Sequence, residues 1–549
     1  MGAHAFEQFF PFPEIRSEQR EAIQFVLDEF LVKKKKFVIL ELPTGIGKSA
    51  IAVCVSRYLN SLSREDADAP TGSYVLTTQL ILQDQYVHDF GAGDDPLVVS
   101  LKSSANYMCR FYVDQTCAES KRLLNKLPKH LVGSGFQECC RRSCPYTIDK
   151  QAFIDASLGC TSFAYFLAET MYAGKLEPRD LLVIDEAHRA ESQSSKFIEV
   201  VFSEKFCRDV LKCKFSKSLE QQDVFAWVRG AYKNAVSKRI KLVSAAIERS
   251  LESDNVASSF ADLSKQFEVL DKHVCKVNRF ISSYDEKNWV MNVVPPLKGS
   301  KRAGRRIEFK PVAVAPYCDD LLFKFGSRVL MMSATIVDKD VFCSTLGIDP
   351  DRAAFMKMRS PFPVESRKVV RLPVGSMSRS CIERTLPIMA ETLKMLLEKH
   401  SDQKGIVHAS TFKIAQFLFD NVKSKRLLIH DSTNREAVLK KHRESREPTV
   451  LLSPSMTEGI DLSDDASRWQ CLCKVPFPYL GDSMVRRRME RDDKWYDYET
   501  VKTIVQSLGR SVRNKDDHAV SYVLDSDWDR LYARTRQMFP SDFDELLSA

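Results

Sequence analysis

Apolar positions along the chain group into two kinds of run. Short stretches of uninterrupted Val, Ile, Leu and Met stand at Phe37–Leu40, Leu181–Ile184, Val329–Met332 and Val450–Leu452, each ending on polar or small residues. Runs of that length with no polar alternation predict strands buried on both faces, as in parallel sheets. Between them the spacing changes to three and four. Ile15, Ala22, Ile23, Val26 and Leu27 predict a short amphipathic helix once Pro11 and Pro13 are passed, and Leu80 to Tyr86 predict another after the strand Tyr74–Thr78. From about Ala190 to Pro311 the pattern is helical and charged. Val236, Ile240, Val243, Ile247 and Leu251 form one stripe. Phe260, Leu263, Phe267, Leu270, Val274, Val277 and Ile281 form a second, coiled-coil-like one. The polar Glu252–Asn255 between them predicts an antiparallel helical hairpin.

The polar strand ends carry the candidate chemistry. Phe37–Leu40 runs into Glu41-Leu-Pro-Thr-Gly-Ile-Gly-Lys-Ser49 and then Ala50-Ile-Ala-Val. Strand, glycine turn and helix start aim backbone N–H groups and a helix N-terminus at one point, an anion site. Gly45 and Gly47 admit close wrapping, Lys48 supplies a point charge for β- and γ-phosphates, and Ser49 a hydroxyl for Mg²⁺. Leu42 occupies the place where the strict phosphate-loop pattern has Gly. The loop set is Pro43, Thr44, Gly45, Ile46, Gly47, Lys48, Ser49 and Ala50. Upstream, Arg16 and Gln19 share a helix face and have two readings, adenine recognition or solvated surface.

Leu181–Ile184 ends on Asp185-Glu-Ala-His188. Asp185 suits a Mg²⁺ shell, Glu186 the polarisation of an attacking water, and His188 communication with a second domain. Hydroxyls and amides at Thr77–Gln79, Ser410, Thr411, Ser453 and Ser455 suit phosphate contacts that position a strand without reading it, and Ser333-Ala-Thr335 is a further signal. Gln506, Arg510 and Arg513 stand at i, i+4 and i+7, one helix face able to bring two guanidiniums to a γ-phosphoryl group; a solvated basic helix has the same spacing. Trp495, Tyr496 and Tyr498 read equally as base-stacking groups or a surface aromatic patch.

Composition sets limits. At 549 residues several domains are expected; 44% hydrophobic and 28% charged content is ordinary for a globular chain, and a net charge of +8 permits a polyanion partner. No apolar run approaches the roughly 20 residues of a membrane span. Fifteen cysteines without a secretory leader point to reduced thiols, so the cluster Cys109, Cys117, Cys139, Cys140 and Cys144 reads as a metal site rather than a disulfide framework. Its irregular spacing lacks the paired knuckles of a zinc ribbon and ends on Cys-Pro, which is compatible with a [4Fe–4S] cluster.

The ordered set Pro-Thr-Gly-x-Gly-Lys-Ser, Asp-Glu-Ala-His, Ser-Ala-Thr and Gln-x-x-Gly-Arg-x-x-Arg resembles superfamily 2 helicases. Leu101–Cys109, Cys144-Pro-Tyr146, Ser360–Pro363, Gly405–His408 and Ser453–Asp461 narrow the resemblance to the XPD/DinG-like iron–sulfur branch. It implies an α/β fold of two RecA-like motor domains: 1–100, 148–192 and 309–358 forming the first, 359–549 the second. A cluster domain (101–147) and a helical Arch (193–308) interrupt the first. It further implies ATP and Mg²⁺ as cofactors, Gly459 and Asp461 at the nucleotide, and a [4Fe–4S] cluster on Cys109, Cys117, Cys140 and Cys144, with Cys139 an alternative to Cys140. The implied activity is 5′→3′ movement on single-stranded DNA with unwinding of forked duplexes, by a monomeric motor off the membrane, in the cytoplasm and nucleoid or a nucleus. Lys298, Lys301, Arg302, Arg305 and Arg306 read as a mobile basic loop returning from the Arch. An ATP-gated clamp that remodels complexes without unwinding, and an RNA helicase, would carry the same motifs.

Overall fold

The computed structural model describes residues 5–62, 70–91, 96–112, 114–124, 142–174, 176–251, 257–296, 304–431, 433–454, 462, 464–509, 511–512 and 517–548. Strands β1 (Phe37–Glu41), β2 (Ser73–Thr77), β3 (Val99–Leu101), β4 (Leu158–Ser162) and β5 (Arg179–Asp185) open the first sheet. β6 (Val200–Ser203), β7 (Trp289–Val294) and β8 (Arg306–Pro311) form a separate antiparallel sheet, ordered β6-β8-β7. β9 (Gly326–Ser333) and β10 (Ala353–Lys357) return to the first, giving the parallel order β10-β1-β9-β5-β2-β4-β3. β11 (Val369–Gly375), β12 (Gly405–His408), β13 (Leu427–Ile429), β14 (Val450–Ser453), β15 (Trp469–Leu472) and β16 (Val520–Asp525) build a second parallel sheet, β11-β16-β15-β12-β14-β13.

The uninterrupted apolar runs follow from burial on both faces. In β1, Phe37 and Ile39 enter one core and Val38 and Leu40 the other; in β5, Leu182 and Ile184 divide from Leu181 and Val183 in the same way. Each face is covered by helices, among them α1 (Ser17–Leu27), α2 (Lys48–Ser61) and α3 (Leu80–Phe90).

In the cluster segment, α4 spans Cys117–Leu124. Beyond β5 comes α5 (Ala190–Ile198), and the inserted region is built on the predicted hairpin, α6 (Lys233–Leu251) against α7 (Ala257–Ser283). The insertion is not purely helical. Phe202, Phe280, Trp289 and Phe309 from its three strands and α7 interlock edge-on, with Phe280 4.8 Å from both Trp289 and Phe309. Strand periodicity was hidden there because β6 is only four residues long and β8 follows directly on a basic stretch that reads as loop. α7 also packs on α4. The basic-loop reading fails for Arg306, which starts β8, and for Arg305, whose backbone N–H and side chain both meet Glu204; Lys298, Lys301 and Arg302 lie outside the described residues. Among the described residues no helix is long and apolar enough to cross a membrane.

Candidate active site

Strand order and register decide what meets what. β1, β9, β5 and β2 are consecutive neighbours, with Glu41 opposite Ser333 and Asp185 opposite Met332. Their C-terminal ends therefore present the glycine turn, the Ser333–Thr335 turn, the carboxylate turn and Thr77–Gln79 along one edge, where open parallel sheets bind ligands.

The glycine turn needs its glycines. Gly45 and Gly47 have φ of 84° and 86°, and a Cβ on Gly47 would stand 2.7 Å from the Gln19 amide nitrogen. Lys48 opens α2, with Ser49 and Ala50 in its first turn. Gln19 is buried, and its amide nitrogen donates to the Ile46 carbonyl at 2.8 Å while its oxygen accepts from the Arg16 backbone N–H at 3.0 Å. The Arg16 guanidinium donates to the Gly45 carbonyl at 2.8 Å. This overturns solvated surface for Gln19, and in this conformation both polar groups brace the loop rather than stand free for a base.

Asp185 sits buried at the end of β5. One oxygen accepts from the Glu186 backbone N–H at 2.9 Å and the other from the Tyr86 hydroxyl at 3.3 Å. Burial, then the neighbouring Glu186 charge, raise Asp185 to about 6 against the pull of Lys48. Glu186 takes a left-handed backbone, φ 51°, which turns its side chain out of the strand line. Burial acts to raise its carboxyl, but the His188 hydrogen bond and Lys48 outweigh that and hold it at about 2. His188 Nδ1 meets the Ser333 hydroxyl at 2.7 Å and Glu186 at 3.3 Å. Ser49 and Asp185 supply a hydroxyl and a carboxylate that is ionised at neutral pH, the oxygen donors Mg²⁺ takes.

The second sheet closes over this edge. The Gln506 amide donates to the Thr335 hydroxyl at 3.0 Å, and the Thr335 backbone N–H to Ser333 at 3.1 Å, so a continuous polar chain joins Glu186 to the second domain. A cleft of about 480 Å³ between the domains is lined by Pro43, Thr44, Glu186, His188, Gln506 and Gly509 among others. The helix carrying Gln506 runs from Asp493 to Leu508 and ends there. The single helical face predicted for Gln506, Arg510 and Arg513 is therefore wrong: Gly509 breaks it. Arg510 and Arg513, with Ser455, Gly459 and Asp461, lie outside the described residues.

Of the hydroxyls at strand ends, those of Thr77 and Thr78 are buried without a hydrogen-bond partner among the described residues. Ser410 donates to the Lys474 carbonyl at 3.1 Å, and Thr411 accepts from the Ile414 N–H at 3.2 Å as a helix cap. The aromatic readings of Trp495 and Tyr498 are overturned, since both are buried in a core of the second domain; Tyr496 stacks on Phe477. Sequence reasoning passed over Tyr479, which is 79% exposed in the loop after β15, and Arg189, whose guanidinium meets the Gln79 amide oxygen at 2.6 Å. An aromatic following Pro476-Phe-Pro478, in the loop beyond a buried strand, was the available signal for Tyr479.

Cys109, Cys117 and Cys144 are buried, with the Cys117 and Cys144 sulfurs 3.7 Å apart. Burial, then the Cys144 thiol beside it, push Cys117 up to about 11. The Cys117 thiol therefore stays protonated unless a cation offsets the thiolate charge, and three buried cysteines as soft donors fit a cluster. Among the described residues no group of three ligands is arranged to hold a metal ion; Cys139 and Cys140 lie outside them.

Residues 12–214 match the type III restriction enzyme res subunit family, and residues 394–545 the helicase C-terminal domain family. A probable ATP-dependent helicase of Methanocaldococcus jannaschii is 20% identical over 94% of this chain and 93% of its own length. The ATP-dependent DNA helicase DinG of Photobacterium profundum is 25% identical over 40% of this chain, which spans about a third (34%) of that protein. Among solved structures, one titled XPD helicase superposes with a TM-score of 0.63 at 15% identity, covering 96% of this chain and 98% of its own. S. tokodaii Xpd4 gives 0.56 at 14% identity, covering 94% and 97%.

Proposed function

We propose that the chain is an XPD/DinG-like superfamily 2 helicase that hydrolyses ATP in the interdomain cleft to move 5′→3′ along single-stranded DNA and open forked duplexes. The observation that carries the reading is the shared strand edge: phosphate loop, carboxylate turn and hydroxyl turn on adjacent strands, bridged by Gln506 to the second domain. The domain division 1–100, 101–147, 148–192, 193–308, 309–358 and 359–549 belongs to the same proposal, as do a monomeric motor and action in the compartment that holds DNA.

In this reading Lys48 and the N–H groups of the glycine turn bind the β- and γ-phosphates. Ser49 and Asp185 would hold Mg²⁺, which would supply positive charge to offset that of the phosphates. Against the opposing effect of burial, the His188 hydrogen bond and Lys48 hold the Glu186 carboxyl below the usual carboxylate range, so it stands as a charged acceptor. It orients the attacking water by accepting a hydrogen bond, sufficient for phosphoryl transfer, where positioning and charge stabilisation dominate. Gln506 reports the state of Thr335 to the second domain. By the resemblance alone, Arg510 and Arg513 are assigned to the γ-phosphate and Gly459 and Asp461 to the remaining nucleotide contacts. The buried orphan hydroxyls of Thr77 and Thr78 suit backbone phosphates of a single strand, and exposed Tyr479 suits base stacking, worth about 1–3 kcal/mol per base.

Cys109, Cys117, Cys140 and Cys144 would hold the [4Fe–4S] cluster as thiolates, and ligation would supply folding energy to the segment that carries them.

Three outcomes test this. Glu186→Gln keeps the carbonyl acceptor but loses the charge; it should bind ATP with near wild-type affinity and hydrolyse it at least about 100-fold more slowly in single-turnover assays. Wild-type turnover would remove Glu186 from the reaction. Because the raised carboxyl of Asp185 is neutral below its folded value and charged above it, kcat/KM for ATP should fall as the pH drops through about 6. Glu186 titrates far lower and adds no inflection there; a flat profile down to about pH 5 would contradict the Asp185 assignment. Anaerobically purified protein should show broad absorption near roughly 400 nm, bleached in Cys144→Ser, with basal ATP hydrolysis retained. One zinc and no iron on metal analysis would rule out the cluster.

A further inference from the structure

One helix of the second motor domain grips the inserted region at its roots. α8 (Ser483–Arg491) lies between the loop that carries Tyr479 and α9 (Asp493–Leu508), the helix that ends beside the nucleotide cleft with Gln506. Ser483, Arg487 and Arg491 stand four apart on one face. The Ser483 hydroxyl lies 3.1 Å from Asn292 Oδ1 on β7. One Arg487 nitrogen donates to the carbonyls of Glu286 at 3.1 Å and Trp289 at 2.9 Å, and Arg491 donates to Asn288 Oδ1 at 3.2 Å. Asn288 is itself stapled to the returning chain through Ala313, by bonds of 3.0 and 3.1 Å.

Arg488 reaches the other root. Its Nε donates to the Val312 carbonyl at 2.8 Å, and its guanidinium pairs at 2.5 Å with Glu191 on α5, the helix leading from the carboxylate turn to β6. Both partners are nearly buried, 15% and 14% exposed, and Arg488 also lies 5.2 Å from the Trp495 ring. Water does not screen such a pair, and breaking it leaves an uncompensated buried charge. α8 thus holds the outgoing connection, through Glu191, and the returning one, through residues 286–289 and 312. It does so from the domain that must shift when the cleft closes.

We propose that α8 couples the two motor domains to the insertion. In this account Arg487 and Arg488 are positioning residues for strand separation, passing movement of the second domain to the α6–α7 hairpin through both of its roots. Two side chains alone would be a local tether. Contact at both roots, on a helix joined through the single extended residue Asp492 to the one bearing Gln506, makes a lever. Cleft closure then shifts the hairpin relative to α4, on which α7 packs.

Hydrogen–deuterium exchange on the full chain, with and without a non-hydrolysable ATP analogue, tests this directly. Nucleotide should alter exchange across residues 257–294 in the wild type. In Arg487→Met combined with Glu191→Gln that response should shrink at least about threefold while residues 41–50 respond as before. An undiminished response of 257–294 in the variant, or no response there in the wild type, overturns the coupling. Arg487→Lys carries the same comparison if the double variant loses its thermal transition. A second readout rests on the helicase reading: base pairs opened per ATP should fall about tenfold with DNA-stimulated hydrolysis within about twofold. Parallel losses would mark a merely structural role. Failure of the wild type to open duplexes would count against the helicase reading alone, since the exchange comparison stands without it.

Discussion

The register of four parallel strands is the constraint on which the rest depends. Because Glu41 pairs with Ser333 and Asp185 with Met332, three turns far apart in sequence end side by side. A slip of one residue would send every side chain of a strand to the opposite face, and the two cores flanking β1 and β5 forbid it. The site's precision is thus inherited from apolar packing. Glu41 shows the cost of working at that edge: it is buried, burial raises its carboxyl, and the Lys357 ammonium at 3.3 Å offsets the charge. Lys357 also donates to the carbonyls of Met538 and Phe539, so the C-terminal segment is tied to the same strand end.

Most of the first domain was legible in the sequence because its strands are buried on both faces and its turns need residue types with no substitute. Gly45 and Gly47 take a backbone that side chains resist, and Asp185 and Glu186 are conspicuous after four apolar residues. The helical hairpin was legible from its stripes. What stayed hidden had weaker local signals. The antiparallel sheet is made of short strands, with β6 separated from β7 and β8 by the whole helical hairpin. Trp495 and Tyr498 looked like surface aromatics because tyrosine and tryptophan read alike in core and exposed settings; a second-domain core claims them here. The extended face for Gln506, Arg510 and Arg513 was a spacing argument, and Gly509 stops the helix where the spacing required it to continue.

Gln19 and Arg16 make a related point about roles. Both belong with the phosphate loop, and they donate to its carbonyls, bracing Gly45 and Ile46. A buried amide with donor and acceptor both satisfied fixes its neighbours' geometry at little risk, whereas a half-satisfied one would loosen the turn. The polar chain from Glu186 through His188, Ser333 and Thr335 to Gln506 has the same character. It joins two domains with hydrogen bonds that must be remade whenever the cleft opens, a natural place for nucleotide state to be read.

The central claim is that this cleft drives a DNA motor. The most direct measurement is strand displacement from matched duplexes carrying a 5′ or a 3′ single-stranded tail, with ATP hydrolysis followed in the same reaction. The account predicts displacement from the 5′-tailed duplex, strictly dependent on hydrolysis, and little from the 3′-tailed one. Vigorous DNA-stimulated hydrolysis with neither duplex opened would contradict it.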